Sequence, residues 1–135
     1  MMDLNIAVLN IRSVKNKLIN LFESLNSKNI QICCLTETWL HDEDTWIYKT
    51  CSDMGFKLVH QPRTDKKGGG VGILYKHRLK LQAFKRSKYN TFELFQSVLL
   101  QKKEKMLFTV IYRTGTLTTE ERNTFFMEFS EYFLR

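Results

Sequence analysis

The chain has few residues that would crosslink or interrupt it: one proline, six glycines and three cysteines among 135 residues. Cys33, Cys34 and Cys51 are odd in number and their spacing matches no metal-binding pattern, so we expect free thiols in a reducing compartment, nuclear or cytoplasmic. No run of uncharged apolar residues approaches the ~18 that a membrane-spanning helix needs. Asp3 and Asn5 interrupt the early apolar run that a secretory signal would require.

Acidic residues are also scarce, with 14 Asp and Glu against 21 Lys and Arg and a formal net charge of +7. Such a balance suits a polyanionic partner. Ten Phe, five Tyr and two Trp require a core, which excludes a mainly disordered chain. The length predicts one domain.

The first third of the chain has the pattern of a strand, a helix and a second strand. Residues 4–9 predict a buried strand, and residues 30–36 predict another. Between them, apolar residues recur on one helical face that ends near Ser27, with Ser13 as a plausible N-cap: Val14, Leu18, Leu21, Phe22 and Leu25. A parallel strand pair with a right-handed crossover is therefore expected.

The remainder predicts mostly strands. We expect a short helix near Trp46 and Tyr48, a strand at Phe56–His60, and a hairpin between Gly70–Lys76 and Leu79–Phe84. Residues 92–100 and 106–112 predict a second hairpin across Gln101–Lys105. Thr118 and Glu121 form a capping box before a helix with apolar repeats at Phe125, Phe126, Phe129, Tyr132 and Phe133. The predicted fold class is α/β, a mixed sheet with flanking helices.

Three polar clusters follow predicted strands, where open α/β sheets bind ligands. Asn10 and Arg12 follow the first strand, and either contact a ligand or form a turn. Glu37 follows the second strand, and is either a magnesium ligand or a solvated acid. Tyr112 is either a site residue or part of the core, and the adjacent Arg113 is a candidate phosphate clamp.

Three other patterns carry no site. The glycines at 68–72 precede a strand, whereas the dinucleotide-binding fingerprint precedes a helix, so they predict a tight turn and a close approach of strands. His41, His60 and His77 do not have zinc-ligand spacing. Asp42, Glu43 and Asp44 are expected to form a solvated helix start.

Together, four motifs resemble the endonuclease/exonuclease/phosphatase superfamily, and within it the apurinic-like endonuclease domain of LINE-type (non-LTR) retrotransposons. They are Asn10-Ile11-Arg12-Ser13, Glu37-Thr38-Trp39-Leu40, Gly68-Gly69-Gly70-Val71 and Tyr112-Arg113-Thr114. Each is weakly specific alone, but their order and spacing match that family across nearly the whole chain.

The resemblance implies a magnesium-dependent DNA endonuclease, in which Mn²⁺ can substitute, that nicks target DNA by phosphodiester hydrolysis. Glu37 would be the principal metal ligand, Asn10 would organise the metal and the scissile phosphate, and Tyr112 would contact that phosphate.

The chain also departs from the family pattern. Thr114 replaces the expected proline, and the later Gly-Asp-Phe-Asn and Ser-Asp-His motifs are absent. Residues 1–135 therefore correspond to the N-terminal half of a four-layer α/β sandwich, lacking its C-terminal half, and are expected to be inactive alone. A sheet face without its cover, at Phe108 and Val110 or at Leu107 and Ile111, would promote self-association.

Two alternatives stay open. The first is a non-catalytic remnant that binds nucleic acid through its basic residues: Arg63, Lys66, Lys67, Lys76, Arg78, Lys80, Lys85, Arg86 and Lys88. The second is a phosphatase or lipid-headgroup hydrolase of the same superfamily.

Overall fold

The computed structural model describes residues 4–62, 69–88, 91–113 and 117–133, and for residues 83–88 it describes the backbone. The elements, in chain order, are β1 (Ile6–Asn10), α1 (Leu18–Ser27), β2 (Ile32–Thr36), α2 (Trp46–Asp53), β3 (Phe56–Gln61), β4 (Val71–Lys76), β5 (Lys80–Lys88), β6 (Glu93–Gln101), β7 (Glu104–Tyr112) and α3 (Thr119–Phe133).

The strands form two sheets. Sheet A has the order β1-β2-β4-β3, in which β1 and β2 are parallel, as predicted, and the other pairs are antiparallel. Sheet B is antiparallel, with the order β5-β6-β7. The predicted hairpin between Gly70–Lys76 and Leu79–Phe84 is wrong. Because β2 and β3 occupy both edges of β4, the next strand leaves sheet A and pairs with β6 instead.

Two apolar cores separate the layers. The predicted face of α1 is buried against one side of sheet A, together with Ile47 and Cys51 of α2. The other side of sheet A packs on sheet B through residues such as Ile32, Ile73 and Phe95. The fold is thus the predicted mixed α/β arrangement, in which helices α1 and α2, sheet A and sheet B form successive layers.

The cysteines confirm the alternation of β2. Cys33 lies in the core beneath the helices and Cys34 lies in the core between the sheets. Burial, with the neighbouring Cys34, raises the pKa of the Cys33 thiol to about 12. Burial raises the pKa values of Cys34 and Cys51 to about 11. All three are free thiols, as expected.

Strand β1 corrects the prediction of a buried first strand. Val8 is 76% exposed, Ile6 43% and Leu9 40%. The reason is position, because β1 forms an edge of sheet A and only its half-buried Ala7 packs against the helix-side core.

The entry to α1 also differs from expectation. The helix begins at Leu18 with Lys17 at the N-cap, so Ser13 is not the cap. Arg12 and Ser13 instead adopt left-handed backbone conformations, with φ of 50° and 74°. These residues belong to a tight loop that Val14 anchors in the core.

Helix α3 has the predicted capping box. The Thr118 backbone N–H donates to Glu121 Oε1 at 3.2 Å, and the Glu121 N–H donates to Thr118 Oγ1 at 3.1 Å. The helix buries none of its residues. It contacts the segment before β6, where Phe125 meets Phe92 with ring centroids 5.4 Å apart. Within the described ranges, no helix is long and apolar enough to cross a membrane.

Candidate functional site

The loop after β2 carries Glu37 and is held first by the loop after β1. Asn10 pairs with Thr36 in the parallel register, and the Ile11 N–H donates to the Thr36 carbonyl at 3.0 Å. The Ser13 N–H then donates to the Glu37 carbonyl at 2.8 Å, and the Val14 N–H to the Thr38 carbonyl at 3.1 Å. The two carboxyl-end loops therefore continue the pairing of their strands beyond the sheet.

The segment before β4 holds the same loop from the other side. The Thr38 N–H donates to the Gly70 carbonyl at 3.2 Å and the Trp39 N–H donates to the Gly69 carbonyl at 2.8 Å. Gly70 has φ of 92°, and a Cβ there would overlap Thr38 Oγ1. This is the close approach predicted from the glycines. Gly68 lies outside the described residues.

Tyr112 completes the cluster from sheet B. Its hydroxyl donates to Glu37 Oε1 at 2.8 Å, across 75 residues of sequence. Tyr112 is the last residue of β7 and packs against the core between the sheets. Packing of the two sheets thus brings its hydroxyl to the edge where β2 ends. Residues from the four separated motifs meet around a half-buried carboxylate.

Backbone strain concentrates at this place. Among the described residues, six non-glycine residues have a positive φ, and four of them flank the site: Arg12, Ser13, Glu37 and Trp39. Left-handed conformations cost about 1 kcal/mol or more for such residues and persist where the surroundings enforce them. The hydrogen bonds between the loops provide that enforcement, which favours a functional reason for the conformation.

Two site residues were not anticipated from the sequence. Lys17 Nζ donates to the carbonyls of Ile11 and Arg12 at 2.7 and 2.8 Å, and so supports the strained loop. Glu93 Oε2 accepts the Gly70 N–H at 2.8 Å, and Glu93 lies opposite Tyr112 in sheet B. Neither residue belongs to a motif, and their roles arise only from the meeting of the two sheets and loops.

The acidic run Asp42–Asp44 is not the solvated helix start that the sequence predicts. Helix α2 begins at Trp46 and has no acidic residue in its first turn, so the run is not its solvated start. Asp44 accepts the His41 N–H at 2.7 Å and pairs with Lys15 Nζ at 3.1 Å. Burial opposes ionisation, but these hydrogen bonds prevail and lower the pKa of Asp44. Asp44 therefore joins the loop before α1 to the loop before α2.

The other predicted site residues, Asn10, Arg12 and Arg113, each have different surroundings. Asn10 is exposed at the end of β1, and its side chain makes no hydrogen bond to another described residue. Arg12 is exposed in the neighbouring loop. Arg113 lies with its guanidinium carbon 4.9 Å from the centroid of the Phe125 ring, so it contacts α3. Thr114 lies outside the described residues.

The site is poor in metal ligands. Within the part of the chain that the structure describes, no group of three or more His, Cys, Asp or Glu side chains could hold a metal ion. Glu37 contributes one carboxylate, with the Asn10 amide on the adjacent strand end. Mg²⁺ retains several waters and needs only one or two protein carboxylates with substrate oxygens, so this donor set fits that ion as a weakly held partner.

No family model matches the chain, and no curated sequence is significantly similar to it. Solved structures do resemble it. An AP endonuclease from Archaeoglobus fulgidus matches with a TM-score of 0.57 and 16% identity, covering 72% of this chain and 37% of its own. D. rerio TDP2, solved with a single-strand DNA product, matches with a TM-score of 0.63 and 11% identity, covering 95% and 53%.

The human Nocturnin catalytic domain, solved with a bound sulfate anion, has a TM-score of 0.57 and 13% identity, covering 93% of this chain and 57% of its own. These proteins share the endonuclease/exonuclease/phosphatase fold, and this chain has the corresponding α/β architecture. It spans between about a third and three fifths of their lengths.

Proposed function

We propose that this chain is the N-terminal half of a metal-dependent phosphodiesterase that nicks DNA, of the LINE-type endonuclease kind. The observation that carries the proposal is the 2.8 Å hydrogen bond from Tyr112 to Glu37, at the meeting point of four motifs. Sheet packing and strained loops both serve to hold this one carboxylate in place. A carboxylate fixed beyond the carboxyl end of a strand is suited to a ligand site.

Glu37 and Asn10 would hold Mg²⁺, or Mn²⁺ in its place. When bound, the ion supplies charge stabilisation to a phosphoryl oxygen and to the leaving oxyanion. Tyr112 donates to one oxygen of Glu37, which fixes the carboxylate's orientation and leaves the other oxygen for a ligand. The exposed Asn10 amide can donate to a phosphate oxygen.

The two arginines have separate parts in this proposal. Arg12 is exposed on the strained loop, where it can approach a phosphate of the bound strand. Arg113 rests on Phe125, so reaching a phosphate requires it to leave that ring. Such an exposed cation–π contact is worth about 0.5–1 kcal/mol, which one charge-assisted hydrogen bond to phosphate can offset.

The 135 residues lack the motifs that would activate water and stabilise the transition state, so we propose that they do not sustain turnover alone. Losing either function typically costs orders of magnitude in rate. DNA is the proposed substrate because the four motifs match the LINE-type pattern and the net charge is +7.

The test is nicking of supercoiled plasmid in Mg²⁺, with EDTA and Glu37→Gln as controls. We expect at most a trace of nicking by the wild type, and none with EDTA or in Glu37→Gln. A Glu120→Gln variant, which changes an exposed acid of α3, should behave as wild type. Nicking that survives Glu37→Gln would overturn the assigned role of Glu37.

Self-association is a second part of the proposal. Strand β1 offers an open edge with exposed Ile6, Val8 and Leu9 and no charged residue, and on β7 Met106 and Leu107 are 46% and 55% exposed. The expected uncovered face is thus at Leu107, whereas Val110 is buried between the sheets. Such edges pair readily with another strand.

We expect sedimentation to show concentration-dependent dimers of this chain. The Val8→Lys variant should form fewer dimers. Monomers at all concentrations would contradict this part of the proposal.

A further inference from the structure

A pocket lies at the end of the sheets opposite Glu37. Its volume is about 640 Å³, and its walls are the turn between β4 and β5 and the hairpin between β6 and β7. Strand β4 begins beside the Glu37 loop and ends at Lys76, next to this pocket. Six strand residues span about 20 Å, so the two places are distinct.

Positive charge surrounds this pocket. Its lining includes four cations, with Glu104 the single acid: Arg78, Lys80, Lys102 and Lys103. Within the described residues, none of the four forms an ion pair. An anion is the complementary ligand.

The lining of the pocket includes two leucines, which form its apolar part. Leu79 is buried, and Leu100 is half-buried beside it.

The hairpin that presents two of the lysines has an unfavourable sequence for its shape. Gln101 pairs with Glu104, so Lys102 and Lys103 form a two-residue loop. Lys102, at the first central position, has φ of 41°, a left-handed conformation that glycine adopts more easily than lysine. A lysine held in a conformation that glycine would adopt more easily suggests that its charge is needed.

We propose that this pocket binds a nucleotide unit, with its phosphate on the cations and its base or sugar over Leu79 and Leu100. The volume lies within the range of small-ligand pockets, and the pairing of an apolar part with a basic rim suits a phosphate ester more than a bare ion. The unit is either a free nucleotide or one member of a single nucleic-acid strand. This binding goes beyond the proposed cleavage at Glu37 and does not depend on it.

The test uses the variant Lys102→Gly/Lys103→Ser, which removes two cations and gives the turn the residues that its shape favours. Its melting temperature should be unchanged or raised by about 3 °C, so weaker binding cannot be attributed to unfolding. Binding of a fluorescein-labelled ten-nucleotide thymidine strand, followed by anisotropy at low salt, should weaken by about tenfold. The slope of log K against log salt should shrink by about 1.4.

A matched control separates the pocket from general charge. The variant Lys49→Gln/Arg122→Gln also removes two exposed cations, on α2 and α3, and should bind as wild type. Competition with adenosine monophosphate distinguishes the ligands: displacement identifies a free nucleotide as sufficient, and failure to displace identifies the strand. Equal weakening in both double variants, or no binding of strand or mononucleotide by the wild type, would overturn the proposal.

Discussion

Helices α1 and α3 both have apolar residues at helical spacing, but their surroundings are opposite. Helix α1 buries Leu18, Leu21, Phe22 and Leu25 against sheet A, whereas α3 buries none of its residues and leaves Phe126 59% and Met127 73% exposed. An apolar repeat therefore establishes that a helix forms, but the layer beside it decides whether the repeat contributes to stability. Sheet A has its helical cover, whereas α3 contacts the segment before β6, where Phe125 meets Phe92 and Thr91 donates to Glu128.

The largest expected effect compares one phenylalanine from each helix. Phe22→Ala should lower the free energy of unfolding by about 3–5 kcal/mol, because Phe22 is fully buried. Phe126→Ala should cost less than about 1 kcal/mol, since most of its side chain is already exposed. Urea unfolding followed by circular dichroism measures both, and Phe22→Leu provides a milder variant if Phe22→Ala does not fold. Equal losses would remove the distinction between the helices.

A smaller effect compares two glycines with similar positive φ angles. Gly55 and Gly70 have φ of 84° and 92°, but a Cβ at Gly55 would meet no atom within 4 Å. Gly55→Ala should cost about 1 kcal/mol for its left-handed conformation. Gly70→Ala should cost about 2–4 kcal/mol, because its Cβ also displaces Thr38. Thermal unfolding of both variants checks this, and a Gly70→Ala no worse than Gly55→Ala would show that the Glu37 loop is looser than described.

The smallest effect concerns pH and the core beneath α1. Folding raises the pKa of Cys33 from 9.0 to about 12, so the folded state retains its proton at pH values where the unfolded state loses it. The resulting stability is complete below pH 9 and is lost as the pH rises toward 12, by at most about 1.4 kcal/mol per pH unit for one thiol.

Replacing this thiol should flatten the alkaline loss of stability. Between pH 8 and 10.5, Cys33→Ala should show a shallower decline in the free energy of unfolding than wild type. Ser97→Ala, which changes another buried residue without a titrating group, should keep the wild-type slope. An unchanged slope in Cys33→Ala would contradict a protonated, buried thiol.

Local patterns predicted the elements well because periodicity and caps act within a few residues. The buried face of α1, the parallel pair and the Thr118 capping box were all visible in the sequence. Strand order was not visible, which is why β1 was expected to be buried and β5 was expected to pair with β4. Which strand forms an edge depends on contacts between residues far apart in sequence.

Some residues of the candidate site could likewise be predicted from the sequence, and others could not. Asn10, Glu37 and Tyr112 were predicted from motifs, and the hydrogen bond between Tyr112 and Glu37 joins two of them. The roles of Lys17 and Glu93 could not be predicted, because a lysine that binds loop carbonyls and a glutamate that accepts one glycine N–H leave no pattern in sequence. Arg113 lay in a motif, yet the structure places it against Phe125 of α3.

The most direct test of the account is where Mn²⁺ binds on the folded chain. In amide nuclear magnetic resonance spectra, small additions of Mn²⁺ should broaden signals from the loop after β1, from residues 36–39 and from Tyr112, and Glu37→Gln should abolish that selective broadening. Broadening centred on the Asp42–Asp44 run, or none that depends on Glu37, would contradict a metal site at the convergence of the four motifs.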